Sequence, residues 1–312
     1  MSRPLRFIPK EGALVHVTCR TIQSRFLLRP SPALNQIVVG VLGRAQRLYQ
    51  VACHDIVVMS NHWHGLFLVK DANQLARFME FVNSNLAREV GRLVDWPDKV
   101  WARRYHSIVV SNEEMAQVER FRYLLSHGVK EGLVGRVTEW PGVHAIRELL
   151  EGKPLKGLWF DRTQEYAARI RGEDFDRLKY ATEEILELSP LPCWEDLTPE
   201  QYREQVATQI EDIERAAAAE LRKKGLQPLG VPAILKQRPH TRPAKTKKSP
   251  APAFHAATKA MRQLLWTMYS EFVGKFRDAA EQWRTGDRTA RFPVGSFPPG
   301  LPFVTADSPG PP

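Results

Sequence analysis

Cysteine is scarce in this chain: Cys19, Cys53 and Cys193 are the three in 312 residues. Odd in number and far apart, they build neither a disulfide framework nor a CxxC metal pair. A reducing, cytoplasmic setting is therefore expected. Long apolar runs are lacking too. No stretch approaches the ~18 residues of a membrane span. The opening MSRPLRFIPK has no apolar core of the secretory kind, so no membrane partner is expected. Acidic residues are the minority charge, 35 Asp+Glu against 45 Lys+Arg, which leaves a formal +10. That balance favours a polyanionic partner such as nucleic acid. No internal repeat is present.

What is there suffices for a core. The chain is 43% hydrophobic, and its length is a prior of about two domains. The charge is uneven: +7 over residues 1–150, −5 over 151–225 and +8 over 226–312. Leu14–Thr21 (LVHVTCRT) alternates like a half-buried strand. Ser31-Pro32 reads as an N-cap and first helical residue, followed by Leu34, Ile37, Val38, Val41, Leu42, Ala45 and Leu48 at helical spacing. Two strand-like runs follow, Tyr49–Met59 and Trp63–Val69, with Ser60-Asn61 at the turn. A helix is expected over Ala72–Leu93, a fourth strand over Tyr105–Val110, and a third helix over Glu113–Gly128 with Asn112 as its cap. This order predicts an α+β fold. Its core is a ferredoxin-like (RRM-like) split βαβ sheet with helices on one face, followed by a mainly helical C-terminal extension. In that extension residues 151–225 read as helical, with a capping box at Thr198–Gln201. Residues 226–254 read as a basic, Pro-rich connector, and 256–285 as an amphipathic helix.

The most informative segment is VVMSNHWHGLFLV, residues 57–69. The period of two puts His62 and His64 on one face of a strand and Trp63 on the other. Two adjacent imidazoles can chelate one divalent ion, but a pair of surface histidines has the same pattern. On the third helix, Tyr123 and His127 are four apart and share a face. A tyrosine can serve as an oxygen nucleophile beside a metal, with His127 as a third ligand; a core aromatic with its hydroxyl at the boundary is the rival reading. Asn61 reads as a turn former, and His54 as structural. His16 and His144 show no partner in the sequence.

Taken together, residues 14–145 resemble the single-tyrosine HUH transposases, the insertion-sequence-200-like group, and in particular their REP-associated tyrosine transposase branch. The resemblance rests on Met-Ser-Asn-His62-Trp63-His64, on FRYLLSHGVKEGLV with Tyr123, and on LARFMEFVNSNLAREVGRL and VWARRYHSIVV in matching order. It implies a DNA nickase and strand transferase. His62 and His64 would hold Mg²⁺ or Mn²⁺ on the scissile phosphate. Tyr123 would attack that phosphate to leave a 5′-phosphotyrosine and a free 3′-hydroxyl. The implied partner is single-stranded DNA with a REP-like hairpin, in a bacterial, nucleoid-associated setting. The oligomeric state, monomer or homodimer, stays open. One departure stands out. Many relatives carry an amide four residues after the tyrosine, commonly Asn-Pro; here it is His127-Gly128. A three-histidine shell would shift preference from Mg²⁺ towards Mn²⁺ or Zn²⁺.

The implied organisation is a catalytic domain over 1–150, an acidic helical extension over 151–225, and a basic linker, helix and tail over 226–312. Arg103, Arg104, Arg120, Arg122 and Lys130 are candidates for phosphate contacts, as are Arg242, Lys245, Lys247 and Lys248 in the connector. Solvated basic faces are the plain reading of the same residues, and of Arg77 and Arg88. The tail charge suggests either a second DNA contact or a strap across the acidic middle. Rival functions are a domesticated hairpin-binding protein without cleavage, a metal hydrolase using bound water, and an RNA-binding sheet.

Overall fold

A computed structural model of the chain describes residues 5–172, 176–243 and 252–300. The elements of the first part are β1 (Ala13–Arg20), α1 (Pro32–Tyr49), β2 (Ala52–Met59), β3 (His62–Val69), α2 (Ala72–Leu93), β4 (His106–Val110) and α3 (Glu114–Leu125). Then come α4 (Ile146–Glu151), β5 (Leu155–Phe160), α5 (Arg162–Ile170), β6 (Ala181–Leu186), α6 (Pro199–Lys223), α7 (Val231–Leu235), β7 (Phe254–His255) and α8 (Lys259–Arg284). The main sheet runs β2-β3-β1-β4-β7. Its first four strands pair antiparallel, and β7 joins β4 in parallel. That is the ferredoxin-like split βαβ sheet, with one strand added at its edge. No described helix is long and apolar enough to cross a membrane.

Local sequence explains most boundaries. The Ser31 side chain accepts from Leu34 N, Pro32 opens α1, and Gln50 closes it in a left-handed conformation. Asp71 caps α2 by accepting from Gln74 N at 2.7 Å. Thr198 and Gln201 form the expected capping box of α6. The cap of α3 differs from expectation: it is Glu113, not Asn112, and its side chain makes no capping bond. The Glu113 carboxylate is engaged elsewhere. It accepts from Ser111 Oγ at 2.7 Å and from the backbone N–H groups of Ala257 and Thr258 at 2.8 and 3.0 Å. This binds the segment after β7 to the start of α3.

The two faces of the sheet are covered differently. Trp63 and Phe67 point to the face under α2, where Phe67 meets Phe78 at 5.0 Å between centroids. The opposite face carries His16, His62 and His64, and Tyr123 of α3 lies over it. α1 is buried around most of its circumference, including Val39, Gly40 and Gly43, while Leu48 of the expected apolar stripe is exposed.

The cause is a two-stranded antiparallel sheet, β5–β6 with α5 between the strands, in the stretch read from sequence as helical. It packs on the far side of α1. A Cβ on Gly40 would sit 2.1 Å from the Leu158 carbonyl carbon, and one on Gly43 2.6 Å from Ile185 O, so only glycine permits this approach. The acidic residues of this region hold it in place. Glu184 takes Arg44 and Arg47 of α1, each at 2.9 Å. Glu165 takes Arg92 of α2 at 2.6 Å and Arg177 at 3.0 Å. Buried Glu89 of α2 receives Arg162 at 3.2 Å and Arg177 as well.

Candidate active site

The site begins with the alternation of two neighbouring strands. In the β1–β3 register, Thr18 lies opposite His64 and Arg20 opposite His62. His16, Thr18 and Arg20 therefore share the face of His62 and His64. His64 Nδ1 is 2.8 Å from His16 Nε2 and 2.8 Å from Thr18 Oγ1. His62 Nδ1 donates to Asn61 Oδ1 at 2.7 Å. Asn61 also donates to Ser24 O at 3.2 Å, so this turn former orients a site histidine as well.

The third imidazole arrives from α3, but not as its helical residue. The helix stops at Leu125, and His127 lies in the turn beyond it. Gly128 makes this turn with φ +91°, a conformation that side-chain-bearing residues resist. His127 Nδ1 donates to Leu124 O at 3.1 Å. The ligand atoms of His62, His64 and His127 all lie within 4.8 Å of one another. The Nδ1 atoms of all three rings are engaged, so the Nε2 lone pairs of His62 and His127 are free by tautomer. The same state at His64 needs Nδ1 to donate to Thr18 or His16. The Tyr123 ring stands 4.9 Å from His127, 5.7 Å from His64 and 5.6 Å from His16.

Electrostatics keep these imidazoles neutral. Burial lowers His62 to about 3, helped by the charges of Arg20 and Lys130. Burial likewise puts His64 and His127 well below the ordinary histidine value, and brings His16 to about 3. Neutral imidazole is the metal-ligating form. The Tyr123 hydroxyl is raised, by burial first and then by Glu131, with Arg120 and Arg20 opposing. Lys130 Nζ lies 3.5 Å from the centre of the Tyr123 ring and 3.1 Å from the Tyr123 carbonyl.

The other residues singled out from sequence scatter. Arg120 sits 5.9 Å from the Tyr123 ring and holds His255 Nδ1 at 2.8 Å. Arg122 turns to α6, bonding Gln209 and facing Asp212 at 3.7 Å. Arg103 and Arg104 are exposed, on a segment tied to the end of β1 through Ala102 N and Arg20 O at 2.9 Å. Arg242 is exposed; Lys245, Lys247 and Lys248 lie outside the described residues. Arg77 and Arg88 are exposed on α2, on the other side of the sheet. His54 is structural, its Nδ1 donating to Ser189 and Pro190 carbonyls. His144 lies behind the cluster, where Ile146 N donates to it at 3.3 Å. Sequence reasoning missed Arg20 and left His16 without a partner. Both were marked by the polar positions of LVHVTCRT, but their partner strand was not.

Solved structures similar to the chain include two transposases. One is a REP-associated tyrosine transposase bound to a REP hairpin, at 17% identity and TM-score 0.39, covering 48% of this chain and 86% of that one. The other is a candidate transposase of Deinococcus radiodurans R1, at 15% identity and TM-score 0.28, covering 39% and 95%. No curated protein matches the chain. Across residues 11–123, from the start of the sheet to the tyrosine of α3, the sequence matches the family of IS200-like transposases, and the resemblance carried by the HxH strand holds over that span.

Proposed function

We propose that this chain nicks and rejoins single-stranded DNA beside a hairpin, through a tyrosine–DNA intermediate and with a divalent metal. The observation that supports this best is the convergence of three neutral imidazoles under the ring of Tyr123. The catalytic part would be residues 1–150, working on DNA in the bacterial cytoplasm at the nucleoid.

The donor set fits a divalent ion: His62, His64 and His127 are uncharged, and each ring is fixed at Nδ1. When bound, the ion would supply Lewis-acid stabilisation of charge on the scissile phosphate. Three nitrogen ligands suit Mn²⁺ or Zn²⁺ better than Mg²⁺, which prefers oxygen. Tyr123 supplies the nucleophile. A bond forms from its phenol oxygen to phosphorus, and the bond from phosphorus to the 3′-oxygen breaks. The proton lost by the phenol is matched by the one the 3′-oxygen gains. The products are a 5′-phosphotyrosine and a 3′-hydroxyl, and attack by another 3′-hydroxyl rejoins the strand. Arg20 and Arg120 lower the cost of negative charge on the phenol, and with Lys130 they attract phosphates.

The test is direct. The protein is incubated with a hairpin-flanked single strand and Mn²⁺, and the covalent adduct is read on a denaturing gel. Wild type should form it and Tyr123→Phe should not; an adduct that survives that substitution removes Tyr123 from the role. Salt-sensitive binding with no adduct under Mg²⁺, Mn²⁺ or Zn²⁺ would favour the domesticated hairpin binder instead.

A further inference from the structure

Arg120 precedes Tyr123 by three residues on α3, so the two share a face of the helix. Its guanidinium carbon lies 5.9 Å from the centre of the Tyr123 ring. Its charge reaches the Tyr123 hydroxyl and is the first of those acting on His16. A free arginine side chain has many rotamers, so a fixed place beside the tyrosine has to be held. The group that holds it lies outside the matched span. His255 of β7, 135 residues further along the chain, takes a hydrogen bond from Arg120 Nη2 on its Nδ1 at 2.8 Å. A guanidinium has donors only, so Nδ1 must be the accepting nitrogen and the ring proton sits on Nε2. Nε2 donates that proton to Glu119 Oε2 at 2.8 Å. Burial first, and then the charge of Arg120, lower the His255 pKa and favour this neutral form.

This pairing is more than β7 needs to stay in place. Val109 N donates to Ala253 O at 3.0 Å and Ser111 N to His255 O at 2.9 Å. The residues just after the strand are held by Glu113, through Ala257 N and Thr258 N. What the His255 side chain adds is the orientation of Arg120. It occupies one terminal nitrogen of the guanidinium and leaves another edge open. The buried Nε of Arg120 has no acceptor among the described residues. A buried N–H without an acceptor is costly until a ligand takes it. The acceptor that a planar, charged fork matches is a phosphate.

We propose that His255 is a positioning residue, which aims Arg120 at the DNA phosphate facing Tyr123. The location of that phosphate rests on the function proposed above. The C-terminal extension then takes part in the site through one side chain of β7, without touching DNA itself.

The maximal rate of adduct formation tests this, with the full chain, the hairpin-flanked single strand and Mn²⁺. His255→Phe keeps a ring in place but accepts no hydrogen bond, and His255→Asn sets an oxygen where Nδ1 stands. Arg120→Ala and His255→Phe should each lower the rate about ten- to a hundredfold, the scale of a misplaced group. The double variant should be no slower than Arg120→Ala alone, because the two residues act as one unit. His255→Asn should recover most of the rate. Losses that multiply in the double variant overturn the positioning role. So does a wild-type rate in His255→Phe, or a His255→Asn as slow as His255→Phe. A second readout needs neither metal nor cleavage: the salt dependence of binding to a fluorescent oligothymidine. Loss of one phosphate contact should reduce that slope by about 0.7, equally in Arg120→Ala, His255→Phe and the double variant. If wild type forms no adduct but these slopes fall together, the nicking function fails and the role of His255 stands. If wild type forms the adduct and neither readout responds to His255→Phe, only the role of His255 falls.

Discussion

Neighbouring residues of β3 serve opposite faces of the sheet. Trp63 is sealed under the helical layer with Phe67, while His62 and His64, one step to either side, look out towards Tyr123. The helical face is further closed by the two-stranded β5–β6 sheet on the back of α1. The histidine face is crossed by α3 alone among the helices of the matched span. The difference separates what holds the chain folded from what gives it chemistry. A substitution on one face should therefore show mainly in stability, and one on the other mainly in activity.

The largest expected contrast is between Trp63→Ala and His64→Ala. The first removes a fully buried ring and should cost about 3–5 kcal/mol in denaturant unfolding. The second should lower adduct formation by about a hundred- to a thousandfold, the scale of a lost charge-stabilising group, and leave far more stability than the first. Equal stability losses would erase the distinction between the faces. Next is Gly40→Ala. Its methyl group would meet the Leu158 backbone, and overpacking of this kind costs about 1–3 kcal/mol. Limited proteolysis should then cut first within the β5–α5–β6 segment, and resistance equal to wild type would deny the close approach its importance. His16→Ala tests the support of the histidine face. Loss of a hydrogen-bond partner behind a metal ligand typically weakens metal binding about 10–100-fold. Calorimetric titration with Mn²⁺ should show this, with Thr18→Ser close to wild type; an unchanged affinity would leave His16 a packing residue.

A last contrast concerns pH. Burial raises the carboxyl of Asp55 to about 8, and its Oδ2 has no hydrogen-bond partner. The folded state therefore holds a proton that the unfolded state releases near pH 4. Stability from this group is fully present below pH 4 and is lost as pH rises towards 8. Asp55→Asn should flatten that decline in the thermal midpoint between about pH 4 and 8. A slope equal to that of wild type would place the carboxyl charge elsewhere.

The legible parts of the fold were those written in one segment. The period-two pattern of residues 57–69 gave the strand and the facing of both histidines. The caps Ser31 and Thr198 mark their helices. What stayed hidden depended on a partner far away. His16 pairs with His64 only because β1 lies beside β3 in the sheet order. The β5–β6 sheet was masked by its acids: Glu183 and Glu184 look like a solvated helix until Arg44 and Arg47 are brought to Glu184. The end of α3 was misread because Tyr123 and His127 are spaced as on a helix, whereas a glycine turn makes the same approach. Of the two roles suggested for the tail, a second DNA contact or a strap across the acidic middle, neither anticipated that β7 runs along β4 and binds Arg120 through His255.

That last strand has a bearing on how the protein is made. Bonds from Val109 N to Ala253 O at 3.0 Å and from Ser111 N to His255 O at 2.9 Å cover the edge of β4. The covering strand is translated about 145 residues after the edge it protects. At ribosomal rates of roughly 5–20 residues per second, β4 waits about 7–30 seconds with its backbone groups open to pairing by another chain. Nascent chains truncated before residue 254 should therefore aggregate through this edge, and a synthetic strand spanning residues 252–258 should suppress it.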